Sequence, residues 1–311
     1  MRKSNAFGAH STADEVLAGI DLTGKRYLVT GAASGLGLQV ANALAANGGH
    51  VIVTARTLDR ARRACQEIGY QCSPLQCDLG DLDGVAAATA AVHRLDVPLD
   101  AIIAHAAIAP PETLSLRNGI EAQFFVNHIG HFALINELTD LLRDGAGRVV
   151  IVSNSVAGAK PVKGGIMFDN LAGERFYEAQ RFHRQSKLAN ALYAKELSRR
   201  LKTRGIAVNC VDPGKVRPTT MAKQWSIVRR LAQLAARPFL RSPAQGAATS
   251  SLLAASPSVA GLSGEHWRYC KVEPGNPLIE DRELASRLWD ICADIVARPR
   301  GARIGLLAHA A

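Results

Sequence analysis

Two segments of this chain carry residue types whose spacing points to chemistry. In Thr30-Gly31-Ala32-Ala33-Ser34-Gly35-Leu36-Gly37, three glycines lie between an apolar run and a stretch of helical period. Such a loop lets backbone N–H groups approach a pyrophosphate at a helix N-terminus. It follows a strand and opens a helix, the context that makes a glycine-rich loop informative. The second segment is Phe182-His183-Arg184-Gln185-Ser186-Lys187, which puts an imidazole and an ammonium four residues apart, on one helix face. An imidazole starts near a pKa of about 6.5 and a neighbouring ammonium pushes it lower, making it a competent base and a poor acid. Arg56 closes the second apolar run as Thr54-Ala55-Arg56 and offers a planar cationic fork, where an acid would instead meet a ribose hydroxyl.

The elements that must position these groups read as alternating strands and helices. Strand-length apolar runs fall at 26–30, 50–54, a third ending near Cys77, 99–104, 148–153 and 207–211. Helical periods fill 36–46, 58–68, 120–142 and 180–201. Unbroken Val/Ile runs are expected of strands buried on both faces, so the pattern predicts a Rossmann-type doubly wound parallel sheet flanked by helices in a single α/β domain. Expected boundaries are a flexible 1–11, a domain over 12–297 and a flexible tail over 298–311.

Composition narrows the function classes. The 311 residues are 48% apolar and 21% charged, enough for a full core and too ordered a mixture for extensive disorder. No apolar run reaches membrane-spanning length and no secretory signal opens the chain, so no stable membrane insertion is expected. The net charge of +10 is diffuse and argues for an anionic ligand rather than nucleic acid. The six cysteines make no Cys-x-x-Cys pair and read as reduced thiols in a cytoplasmic protein. His128 and His131 are spaced three apart but lack a third ligand, so no metal is expected and helix packing is the better reading.

Together, the Gly-x-x-x-Gly-x-Gly loop, Asn127-His128-Ile129-Gly130-His131-Phe132, Phe168-Asp169-Asn170-Leu171 and the Ser186-Lys187 pair resemble the short-chain dehydrogenase/reductase family. Within it, the lead-in at 11–25 looks like the branch of retinol-dehydrogenase-like and protochlorophyllide-reductase-like members. The resemblance implies cofactor contacts from Gly31, Ala33, Ser34, Gly35, Leu36, Gly37, Arg56, Asp78, Leu79, Ala104, Ala106, Lys187, Pro213, Gly214 and Val216. Arg56 favours NADP(H) over NAD(H). It also implies catalytic roles at His183, Lys187, Ser155 and Asn127, with Asn127 holding its helix open for a water that meets Lys187.

Three positions depart from the family pattern. His183 stands where the family has Tyr, four before Lys187. The serine pair reads Ser153-Asn154-Ser155, so the substrate oxygen falls to Ser155, or to Asn154. Ala104-His105-Ala106-Ala107 replaces Asn-Asn-Ala-Gly, with His105 a packed histidine or a second titratable group. A basic amphipathic stretch at 225–237, inside a variable lid at about 217–242, would cover a lipophilic pocket. The expected activity is NADP(H)-dependent hydride transfer between nicotinamide and an apolar secondary alcohol or ketone, by a homodimer or homotetramer. Two alternatives are a non-redox isomerase, lyase or cyclase with His183 as general base, and a catalytically inactive cofactor-binding protein.

Overall fold

In a computed structural model, residues 6–69, 71–154, 165–217 and 240–298 are described. The strands are β1 (Arg26–Val29), β2 (His50–Ala55), β3 (Cys72–Gln76), β4 (Ala101–Ala104), β5 (Leu116–Arg117), β6 (Ile120–Glu121), β7 (Arg148–Val152), β8 (Ala207–Asp212), β9 (His266–Arg268) and β10 (Lys271–Val272). The main sheet runs β10-β9-β8-β7-β4-β1-β2-β3, parallel except for the β9–β10 pair, and β5 and β6 form a separate hairpin. Order reverses between β1 and β4, the place where ligands bind beyond the strand ends of such sheets.

The helices are α1 (Ala13–Leu17), α2 (Gly35–Ala46), α3 (Leu58–Ile68), α4 (Leu82–His93), α5 (Ala122–Phe124), α6 (Gly130–Leu138), α7 (Ala179–Arg200), α8 (Pro243–Ala255) and α9 (Arg282–Ala297). Two apolar clusters, one on each face of the sheet, form the core. Leu28, Ile102, Val149 and Val208 face α7, whereas Val29, Ile103, Val150 and Val211 face α2 and α8. Alternation along fully buried strands thus feeds both layers at once. Thr12 caps α1 in a reciprocal box with Glu15.

The structure corrects several expectations. Residues 120–142 are not one helix. They comprise β6, α5, a π-turn over Phe125–Ile129, α6 and a short 3-10 turn. β9 and β10 extend the sheet beyond the six expected strands. Cys65 and Cys72 are joined in a disulfide, their Cα atoms brought to 5.5 Å by the α3–β3 turn at Gly69, while Cys77, Cys210, Cys270 and Cys292 are buried thiols. The 225–237 stretch and nearly all of the expected lid lie outside the described residues.

Candidate active site

The glycine loop is shaped by close approach. Gly31 has φ +65°, and a Cβ there would lie 2.7 Å from the Ala106 Cα. A Cβ on Gly37 would come 2.7 Å from the Gly31 carbonyl oxygen. Both turns therefore need glycine, and they set the N-terminus of α2, whose first N–H groups lack intrahelical acceptors, beyond the end of β1. Ala33, Ser34 and Leu36 follow the same turn. Leu36 and Val216 both pack on Gly246, so the β8 end and the loop after β1 converge. Arg56 is exposed one residue past β2. Beyond β3, Asp78 Oδ1 accepts from the Gly80 N–H at 2.9 Å and Leu79 is buried. Ala104 ends β4. Pro213 and Gly214 follow β8, where Gly214 N–H donates to Asp212 Oδ1 at 2.8 Å.

Histidines tie these strand ends together. Thr30 Oγ1 accepts from the His105 and Ala106 N–H groups at 2.9 and 3.0 Å, so its own proton goes to His131 Nε2, 2.8 Å away. His131 Nδ1 then donates to the Asn127 carbonyl at 2.9 Å. His128 Nδ1 lies 3.0 Å from Asn190 Oδ1 and its Nε2 lies 3.3 Å from Cys292 Sγ. Asn190 Nδ2 donates to the Val152 carbonyl, which leaves its oxygen to face His128. His105 Nε2 meets Ser250 Oγ at 2.8 Å, so it is a satisfied packing residue between β4 and α8. Burial lowers His128 and His131 to about 4. Burial and the Lys187 charge lower His105 to about 3. Among the described residues no group of His, Cys, Asp and Glu is arranged to hold a metal ion.

The π-turn opens the helix at Asn127. Gly130 N–H donates to the Phe125 carbonyl, five residues back, so the α-helical ladder is broken over one turn. Asn127 Oδ1 accepts from the Ile108 N–H at 2.8 Å, and its Nδ2 donates to Ser186 Oγ at 3.2 Å.

α7 carries the other half of the site. His183 and Lys187 lie one turn apart. Lys187 is 5% exposed and its Nζ donates to the Val152 carbonyl at 3.3 Å. Burial lowers its ammonium to about 8, opposed by Asp212. Burial, then Lys187 and Arg184, lower His183 to about 4, so its ring is neutral at neutral pH. Its Nδ1 lies 3.2 Å from Gln123 Oε1. Ser153 is buried with its hydroxyl 3.5 Å from the Val211 carbonyl, and Asn154 is exposed just past β7. Ser155 lies outside the described residues.

Gln123 and Glu121 escaped sequence reasoning. Both are fully buried at the start of a helix whose other residues are apolar, and Gln123 meets His183. Two buried polar side chains in an apolar run were the available signal; the His183 partner of Gln123 lies sixty residues away.

A family profile described as short chain dehydrogenase matches residues 25–229. The chain is 34% identical over 310 residues to a human WW domain-containing oxidoreductase, covering 96% of this chain and 74% of that one. It is 36% identical over 290 residues to human retinol dehydrogenase 14, covering 86% and 85%. Among solved structures, a short chain dehydrogenase from Burkholderia cenocepacia in complex with NADP superposes with TM-score 0.63 at 25% identity, covering 80% of this chain and 97% of that one. The chain belongs to the short-chain dehydrogenase family. No helix among the described residues is long and apolar enough to cross a membrane.

Proposed function

We propose that this family member is an NADP(H)-dependent oxidoreductase acting between an apolar secondary alcohol and its ketone, with His183 in the place of the usual phenol. One observation carries the reading: α7 holds the His183 ring, neutral and hydrogen-bonded on one side, a single turn from a buried Lys187 at the carboxyl ends of the strands.

The residues present fit a dinucleotide. The first-turn N–H groups of α2 and the Gly31–Gly37 turn suit its phosphates, Arg56 suits an additional ribose phosphate, and Asp78 and Leu79 suit its adenine. Ala104, Ala106, Pro213, Gly214 and Val216 line the path from ribose to nicotinamide. The cofactor supplies hydride donation or acceptance when bound. Lys187 holds a ribose hydroxyl and adds positive charge at the reacting oxygen. Asn154 or Ser155 orients that oxygen, and Asn127 keeps the π-turn open beneath Lys187. Exposed Leu114, Leu116 and Phe176, at 37%, 39% and 47%, lie on the β5–β6 hairpin and the loop before α7, which supports an apolar substrate.

Family habit would pair subunits through α6 and α7. Here α9 packs along α7, and Trp289 reaches Phe132 on α6 with ring centroids 5.0 Å apart, so a dimer or tetramer has to use another face. The four buried thiols support a cytoplasmic location, and the Cys65–Cys72 bridge argues against it.

The test follows NADPH and NADP+ turnover on a panel of lipophilic ketones and alcohols, with His183→Tyr alongside. Native turnover that the Tyr variant does not improve supports His183 as proton carrier. A silent native protein and an active variant overturn it. The loss of the phenol also favours one other reading, a non-redox reaction in which neutral His183 is a plain general base; it requires cofactor binding without cofactor consumption.

A further inference from the structure

We propose that Gln123 is a positioning residue that holds His183 in the tautomer protonated on Nδ1, presenting the bare Nε2 lone pair as the proton acceptor of the site. This rests on the proposed function for its catalytic consequence, though not for its geometry.

The argument starts from what an amide can do. A glutamine side chain has two N–H donors on one end and an acceptor oxygen on the other. Gln123 Nε2 lies 2.9 Å from the Ala179 carbonyl oxygen and 3.3 Å from Glu121 Oε1. A carbonyl only accepts, so the Ala179 contact requires the NH₂ end on that side. The second N–H faces Glu121, whose other oxygen accepts from the Phe124 N–H at 2.9 Å. Turning the amide over would set its oxygen against a carbonyl and a carboxyl group with both N–H groups withdrawn. The oxygen is therefore left facing His183 Nδ1 at 3.2 Å. An acceptor at that distance requires a proton on Nδ1, and a neutral ring then has none on Nε2. Glu121 and Gln123 are both 0% exposed, so water does not compete for the arrangement.

The charges around the ring agree with this placement. Lys187 and Arg184 on the same helix both disfavour an imidazolium. Glu121 reaches the ring only through the amide, and Tyr177, from the loop before α7, sends its hydroxyl to the Pro111 carbonyl at 3.1 Å. A ring so held starts from the form that can accept a proton on Nε2 and has none there to give. In alcohol oxidation the C–H bond breaks with its electron pair leaving as hydride to an oxidised nicotinamide. The O–H proton passes to Nε2, and the C–O bond becomes a carbonyl. Reduction would need the proton already on Nε2, which neither the amide nor the neighbouring cations favour.

The tautomer can be read without substrate or turnover. Histidine ¹⁵N shifts and long-range ¹⁵N–¹H couplings distinguish the two forms, and His183→Asn assigns the signal by subtraction. The native protein at pH 7 should show His183 protonated on Nδ1 alone. A proton on Nε2 instead overturns the proposal, whatever the turnover assay says. In Gln123→Met, which fills similar volume without an acceptor, the Nδ1 form should cease to dominate. Alcohol oxidation should fall about tenfold or more in kcat, with KM and NADP+ affinity within about twofold. Gln123→Glu keeps an acceptor at Nδ1 and adds negative charge, so it should keep the tautomer and move the acid limb of the pH–rate profile upward. An unchanged tautomer in Gln123→Met overturns the positioning role. If that variant does not fold, the native and Gln123→Glu spectra decide. The Nδ1 form without any turnover supports the positioning and overturns only the redox reading.

Discussion

The histidines that join the strand ends should make the fold acid-sensitive between about pH 4 and about pH 6.5, against the smaller opposing effect of Glu121, whose carboxyl pKa burial pushes up. His128 and His131 are 0% and 1% exposed and their folded pKa values are lowered to about 4 by burial. In the unfolded chain each returns to about 6.5. Between those values the unfolded state binds more protons, so the stability present above pH 6.5 is lost as the pH falls towards 4. At pH 5 each ring removes about 2 kcal/mol by this linkage, about 4 kcal/mol for the pair, with His105 and His183 adding in the same direction. That is a large part of the roughly 5–15 kcal/mol that holds a typical domain together. The assay is urea unfolding followed by circular dichroism at pH 7.5, 6.5, 5.5 and 5.0. The expected result is a midpoint that falls steadily across the series, with most of the loss below pH 6. The variant His131→Gln should be less stable at pH 7.5, having lost its bonds to Thr30 and Asn127, yet show a shallower pH slope by up to about one proton. Stability at pH 5.0 within about 1 kcal/mol of that at pH 7.5 would refute the reasoning. It would mean that these rings charge in place and are not held neutral by burial.

Three further outcomes test other parts of the structure. Gly37→Ala places a Cβ 2.7 Å from the Gly31 oxygen, so NADPH affinity measured by fluorescence titration should fall about tenfold or more; an unchanged affinity would detach the loop from the cofactor. Arg56→Glu should reverse the preference between NADPH and NADH in kcat/KM, by about tenfold or more from loss of a charge-assisted contact. Trp289→Ala removes a ring packed on Phe132 and Tyr193 and stacked under Arg200 at 3.9 Å. It should cost about 3–5 kcal/mol in urea unfolding, and light scattering should show whether uncovering α6 and α7 lets subunits pair there.

What the sequence made legible, and what it hid, divides along the range of the interactions. The central strands were readable because local runs such as Val149–Val152 and Val51–Val53 are apolar on both faces for reasons a short window contains. β9 and β10 were not, since strands of three and two residues carrying His266, Arg268 and Lys271 look like loop until β8 supplies the ladder. The π-turn lies inside a stretch whose apolar period is continuous, and only the family resemblance implied an opening there, at Asn127. Its cause lies elsewhere, in the Asn127 contact to Ile108 and the His131 contact to Thr30. The glycine loop and Lys187 could be named from spacing, whereas the side-chain partners of His105, His128, His131 and His183 lie between about sixty and about one hundred and sixty residues away in the chain.

The substitution at His183 shows why that division matters for function. Read from the sequence alone, His183 resembles a lost phenol, and an inactive cofactor-binding protein is one of the readings that follows. Placed in its surroundings, it is an imidazole whose Nδ1 is engaged by a locked amide, one helical turn from Lys187. A phenol has a single oxygen that must both give and take a proton. An imidazole separates the nitrogen that fixes the ring from the nitrogen that reacts, so its orientation can be set by a neighbour without occupying the reactive atom. Gln123 would serve a phenol only as a competing partner for that one oxygen, but it serves an imidazole as an anchor. His183 and the buried amide beside it are thus mutually consistent, which is what the proposed base requires and what a decayed site has no reason to retain.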